Sequence, residues 1–402
     1  MLELRAGWAR IPLKLPTGYP MTGYIARQQA SQGILDPLYV RALVLEQGQF
    51  RMTVLVVDLL LVSSAWAARL RKLVAASLQT SVEHVVIAAT HTHSGPLIDT
   101  SPFELSASHP DKRTDQLTRT LERQCVQAAV EARSRLRTVS MSHLRCPVRG
   151  LATDRTRHSR ERIQWLHLIR FKSADGSALF GVLPCHATVL GAANTRYSGD
   201  LHGEVARLYE KQFDVALVAN GAAANISTRF TRSSQTRTQV KRFAATILRQ
   251  TDLRHFRACA PFEVRSASRV VRLPIRDLRK TADTLVQRTG RVADVMREGA
   301  IVARQLSKAK EFRRKLASLP VTVMRLGPIS LAALPLELYA ETGRFLWSHA
   351  DVIALCYANG YWGYVYVPGA KPFDYEVVSS PFEERADAIV RQAVLNIQKD
   401  QR

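Results

Sequence analysis

The longest apolar stretch of the chain, VLVVDLLLVSSAWAA at 54–68, is broken at its centre by Asp58. No uninterrupted run approaches the roughly 20 apolar residues that span a bilayer, so this stretch reads as the interior of a globular protein. With 402 residues, 46% of them hydrophobic, the chain can bury a sizeable core in one large domain or two unequal ones. Residues 52–62, 85–90, 164–171, 178–186 and 214–219 read as strands, and AARLRKLVAASLQ and QLTRTLERQCVQAAVEA carry helical spacing. That alternation predicts an α/β fold, a mixed sheet flanked by helices, in a single unit over 1–402.

Asp175-Gly176, between two apolar runs, predicts a hairpin, and Gly327-Pro328 a second reversal. Residues 276–318 differ in being rich in Arg, Lys and Ala, with Leu278, Ala282 and Leu285 at helical spacing, and predict a basic helical insertion. Ser380-Pro381-Phe382-Glu383 has the form of a capping box opening a last helix, with Ile389, Ala393 and Ile397 on one face.

Lys plus Arg number 57 against 34 Asp plus Glu, a net charge of +23. Such an excess suggests an anionic partner, an anionic membrane surface or an acidic substrate. The basic residues are dispersed and no nucleic-acid signature accompanies them, so nucleic acid is not the expected partner. The five cysteines are scattered without Cys-x-x-Cys spacing and read as buried thiols. The N-terminus, MLELRAGWARIPLKLP, lacks the basic start and apolar block of a secretory signal. An intracellular, cytoplasmic protein is expected, or one whose leader has been removed.

Chemistry enters at VIAATHTHSGPL, where an apolar strand ends in His91-Thr92-His93. In extended backbone, residues two apart face the same side, so both rings can enter one cavity. A second apolar run ends at His186 in LPCHATVLGAANTRYSGDLHGEVA, where His202 reads as a surface or helix-start residue. Glu337 closes a third in LPLELYAETGRF, with Glu341 as its competitor. CYANGYWGYVYVP surrounds Tyr361 with Tyr357, Trp362, Tyr364 and Tyr366. Two histidines, a carboxylate and a phenolate suit four-coordinate zinc, which polarises a carbonyl and acidifies its water.

Read together, GWARIPLKLPTGYPMTGY, GILDPLYVRALVL, VVDLLLVS, ATHTHSGP, CHATVLGAANTRYSGDLHGE, NGAAANISTRF, LPLELYAETGRFL and YANGYWGYVYV follow in order the motifs of the neutral/alkaline non-lysosomal ceramidases. The chain resembles that family over about residues 5–395, most closely its short bacterial members, with THTHSGP the most specific element. The resemblance implies a neutral-ceramidase-like catalytic domain without the family's C-terminal immunoglobulin-like domain. It also implies a zinc-dependent amidase of sphingolipid metabolism, cleaving an N-acyl amide such as ceramide to a fatty acid and an amine. His91, His186, Glu337 and Tyr361 are its implied zinc ligands. His93 is implied beside the metal as acid/base or oxyanion donor, and Tyr375 as a second donor. Arg155 matches the family's Asn-Arg position, and Ser227 its active-site serine, as a substrate contact or a nucleophile.

Three departures bear on activity. Asp154 stands where the family has Asn, and Ala224-Asn225 replaces Gly-Asp before the serine, so restoring a carboxylate at 225 is expected to raise activity. Pro335-Leu336-Glu337 puts a bulky side chain where the family often keeps Gly. The alternatives are hydrolysis of another amide or ester, or an inactive metal-binding homologue with an anionic partner.

Overall fold

The computed structural model describes residues 2–98, 102–103, 112–157, 161–260, 262–280 and 294–401. Three sheets carry the fold. The first orders its strands Val85–Ala89, Phe50–Val57, Tyr39–Gln47, Arg5–Pro12 and Arg137–Thr138. The second runs Val215–Asn220, Ser177–Leu183, Glu161–Lys172, Ser140–Asp154 and Ile226–Ser227, with Arg257–Ala258 also on Ser140–Asp154. The third runs Val264–Pro274, Leu316–Leu326, Ile329–Ala333 and Val352–Leu355. Each of the three mixes parallel and antiparallel pairs.

The strand Phe50–Val57 shows how the layers form. Val54 and Val56 enter a core that joins side chains from all three sheets, while Leu55 and Val57 face a second core packed by helices. Both faces of the strand are thus buried, which is why its sequence is continuously apolar rather than alternating. The helices Ser64–Leu78 and Lys112–Ser134 close this second core, and Asp200–Tyr209 with Arg237–Gln250 close a third over the second sheet.

Several expectations shift. The strand expected over 52–62 ends at Val57, because Asp58 turns out of the ladder to accept from Tyr39 N (2.9 Å) and pair with buried Arg41 (3.2 Å). The strand expected to reach 186 stops at Leu183, before Pro184, which has no amide to continue pairing. Both reversals form: Lys172 pairs with Ser177 across Asp175-Gly176, and Leu326 with Ile329 across Gly327, whose φ is +61°.

No capping box forms at Ser380–Glu383. Ser380 Oγ accepts from Phe382 N and donates to Tyr364 O, and the last helix starts later, at Ala386–Lys399. Its most buried face is Val390, Val394 and Ile397. Between the strands Val264–Pro274 and Leu316–Leu326 the chain is helical over Asp294–Lys308. Leu278 is buried, whereas Ala282 and Leu285 lie outside the described residues. Among the described residues, no helix is long and apolar enough to cross a membrane. All five cysteines are free, four of them buried.

Candidate metal centre

His91 follows the strand Val85–Ala89, but its backbone is not extended. Its φ is +63°, a left-handed conformation rare for a residue with a Cβ. The rings of His91 and His93 therefore meet through a turn rather than through the pleat. The turn is held from outside: Asn359 donates from its backbone N to Ile87 O (2.8 Å), and its Oδ1 accepts from Ile87 N (2.9 Å). Asn359 and Tyr357 are also left-handed, with φ of 60° and 54°. The Tyr357 ring stacks on His91 with centroids 4.1 Å apart. Three such residues around one point mark a place where packing over-determines a costly backbone.

Each histidine is oriented by a main-chain carbonyl at Nδ1. His91 meets Leu60 O at 2.8 Å, His93 meets Gly23 O at 2.7 Å, and His186 meets Ala223 O at 2.8 Å with Ile226 O at 3.2 Å. A carbonyl only accepts, so each Nδ1 carries the proton and each Nε2 presents a lone pair. The ligand atoms of the three rings lie within 4.8 Å of one another. His91 Nε2 and His93 Nε2 are 3.2 Å apart, two lone pairs that cannot bond each other.

Glu337 completes the cluster. It opens a two-residue strand, Glu337–Leu338, paired with Tyr364–Val365, and is fully buried. Its Oε1 lies 2.9 Å from His186 Nε2 and 3.8 Å from His91 Nε2, yet neither Oε1 nor His186 Nε2 finds a partner in hydrogen-bond geometry. Tyr361 donates to Glu337 Oε2 at 2.6 Å. Burial alone pushes the Glu337 carboxyl up, but His91, His186 and Arg155 outweigh it and hold it well below the usual carboxylate range. Burial pushes His91 down to about 4, so the ring is neutral at neutral pH. Imidazole rings facing a buried carboxylate, with unpaired atoms between them, form a donor set that could hold a divalent cation through N and O ligands, each ring oriented from behind.

The cluster opens into a cavity of about 740 Å³ lined by Tyr24, Leu60, Phe103, Tyr364 and Tyr375, with Glu298 and Val302 of the helix Asp294–Lys308 on its wall. His93 is half-buried and lines this cavity, while His91 and His186 are 4% and 1% exposed. Arg155 pairs with Glu376 and donates to Tyr364 Oη at 3.3 Å, with its guanidinium 6.0 Å from the Tyr375 ring. Burial holds the Tyr375 hydroxyl protonated.

Ser227 is placed differently. It is buried, its Oγ accepts from Arg229 N at 3.2 Å, and it is not among the residues that line the cavity. His202 begins a helix as expected but is fully buried rather than on the surface, with Nε2 on Leu183 O. Glu341 stands apart from the cluster, 3.0 Å from Asn225 Nδ2. Tyr357 and Tyr364, read from sequence only as neighbours of Tyr361, position His91 and Arg155, as does Glu376, which carried no sequence signal; at Gly23 a Cβ would sit 2.8 Å from both the Cα and the ring of His93. Gly23 and Tyr24 gave a signal only as part of a quoted motif.

Residues 16–239 match the family described as neutral/alkaline non-lysosomal ceramidase, N-terminal. The chain belongs to that family. Its fold is similar to the crystal structure of neutral ceramidase from Pseudomonas aeruginosa, with a TM-score of 0.77 and 19% identity over 99% of this chain and 74% of that one. A structure described as ceramidase complexed with C2 is similar to the same degree, covering 75% of that chain. No curated protein matches the sequence. Family membership supports a hydrolase acting on a ceramide-type amide bond.

Proposed function

We propose that this chain is a zinc-dependent amidohydrolase that cleaves an N-acyl amide of the ceramide type to a fatty acid and an amine. The observation that carries the reading is the set of three carbonyl-oriented histidines whose ligand atoms lie within 4.8 Å of one another, with His91 and His186 also facing buried Glu337. His91, His186, Glu337 and Tyr361 would hold the ion. Zinc bound there would lower the pKa of water toward about 7 and polarise the amide carbonyl.

The remaining residues act on protons and on position. His93, on the cavity side with its Nε2 lone pair free of a hydrogen, accepts the proton of the attacking water and returns it to the leaving amine. Tyr375, protonated and on the cavity wall, donates to the developing oxyanion. Arg155 fixes Tyr364 and Glu376 behind it. Ser227 caps the turn after Ile226, whose carbonyl faces His186 Nδ1, and so serves as a positioning residue. The aromatic walls suit an acyl chain.

An anionic membrane surface fits as the source of a lipid substrate. Arg297, Ile301, Arg304 and Lys308 form an exposed stripe on the helix whose other side, at Glu298 and Val302, lines the cavity. The test is turnover of an N-acyl amide by protein stripped with chelator and reloaded with zinc, alongside metal content. Activity that depends on about one zinc per chain supports the reading. Full turnover by metal-free protein, or failure to take up zinc, refutes it.

A further inference from the structure

A second cleft lies apart from the metal cavity and shares no lining residue with it. Its walls come from the strands Ser140–Asp154, Glu161–Lys172 and Val352–Leu355 and from the helix Ala340–Ala350. Its floor is Gly221-Ala222, the backbone that runs directly into Ala223, the carbonyl partner of His186.

Arg145 dominates its charge. The guanidinium carbon lies 3.6 Å from the Trp165 ring centroid and 5.2 Å from that of Trp347, so indole faces fix the fork. Yet Arg145 Nε is buried with no hydrogen-bond partner, and no carboxylate pairs with this guanidinium among the described residues. The occluded Nε cannot meet a ligand itself, but the terminal N–H groups of a guanidinium held between indole faces without a carboxylate partner are available to an acceptor entering the cleft. None of the lining residues is Asp or Glu, and the other lining cation, Arg344, is already paired with Glu341 at 3.1 Å, which leaves Arg145 as the cation without a carboxylate. His167 contributes a polar, uncharged ring, since burial, His143 and Arg145 hold it well below its ordinary range. The rest of the wall is apolar, with Val182, Pro184 and Ile353.

We infer that this cleft binds a small organic carboxylate with an aromatic or branched aliphatic body, its carboxylate on Arg145 and its body against the apolar wall. A guanidinium fork matches a carboxylate in two-point contact, and the apolar wall selects against a bare, strongly hydrated anion. The inference does not depend on the reaction at the metal centre.

The experiment titrates benzoate into the full chain and follows the indole N–H signals of Trp165 and Trp347, assigned by substitution to Phe. Saturable shifts confined to these two signals are expected. Arg145→Gln weakens binding by about tenfold or more, and Arg145→Lys, which keeps charge and volume, weakens it less. Benzylamine leaves both signals in place, and inorganic phosphate binds more weakly than benzoate. Absence of saturable shifts in the wild type, equal binding by Arg145→Gln, or loss of benzoate binding in His91→Ala but not in Arg145→Gln overturns the inference. Phosphate binding as tightly as benzoate overturns the organic-ligand assignment. If Arg145→Gln does not fold, the wild-type shifts and Arg145→Lys decide the matter.

Discussion

Asn225→Asp is the substitution that separates sequence reasoning from geometry. By family pattern, the carboxylate should raise activity. In the fold, Asn225 Nδ2 donates to Asp154 Oδ2 at 3.2 Å and to Glu341 Oε2 at 3.0 Å, while its Oδ1 accepts from Ala340 N at 2.9 Å. Two of the departures from the family, Asp at 154 and Asn at 225, therefore touch, and each compensates the other. A carboxylate at 225 keeps the bond from Ala340 but loses two bonds to charged acceptors, each worth about 1.5–3 kcal/mol. It also faces two carboxylates, softened by Arg157 at 3.8 Å from Asp154 and Arg344 at 3.1 Å from Glu341.

A loss of about 3–6 kcal/mol follows, which for 402 residues at about 2.1 cal/mol/K each is a fall in Tm of roughly 4–7 °C. The new carboxyl has a folded pKa raised by its neighbours. Its penalty is thus largest at high pH and shrinks as pH falls below that raised value. Calorimetry at pH 8 and pH 5 measures both. Adding Asp154→Asn recovers part of the loss and not all of it, because Glu341 remains. Because Asn225 O also accepts from Arg155 N at 2.8 Å, kcat/KM falls rather than rises. An unchanged Tm at pH 8, or a rise in kcat/KM, refutes this account.

Three further outcomes are expected. His91→Ala and His186→Ala each lose zinc by elemental analysis, whereas His93→Ala keeps most of it and loses turnover by about 100-fold or more, the scale of a missing acid/base. Gly23→Ala leaves Tm within a few degrees but lowers kcat, since the added Cβ displaces the His93 ring and φ of +103° disfavours it; a wild-type kcat would show that the ring has room. His143, pushed down to about 4 by burial and then by Arg145, is neutral in the fold and charges on unfolding. Its contribution is present above pH 6.5 and is lost as pH falls toward 4, about 2–3 kcal/mol, so His143→Gln flattens denaturant stability over that window.

The α/β class was legible in the alternation of strands and helices, and the residues that cluster were legible as the ends of apolar runs. His91, His186 and Glu337 each close an apolar run, and that abrupt change is visible without coordinates. The route by which His91 and His93 converge was not, because a left-handed residue with a Cβ leaves no trace in pattern or propensity. Asp58 inside an apolar run gave the wrong strand end, since its role depends on Arg41, which the sequence cannot bring near. The strands Arg5–Pro12, Tyr39–Gln47 and Ser140–Asp154 went unread. Interspersed arginines masked them, Arg41 being buried and paired with Asp58 and Glu210. The contact of Asp154 with Asn225 joins residues 71 apart, which no local window contains.

The carbonyls that aim the histidines come from distant parts of the chain: Leu60 for His91, Gly23 for His93, Ala223 for His186, with Glu337 supplied later still. Closing such loops carries an entropic cost that must be met before any ligand atom is in place. Unlike a zinc finger, whose neighbouring ligands let the ion nucleate the chain, the proposed centre needs these distant segments brought together first. Metal loading would therefore report on the assembled tertiary structure.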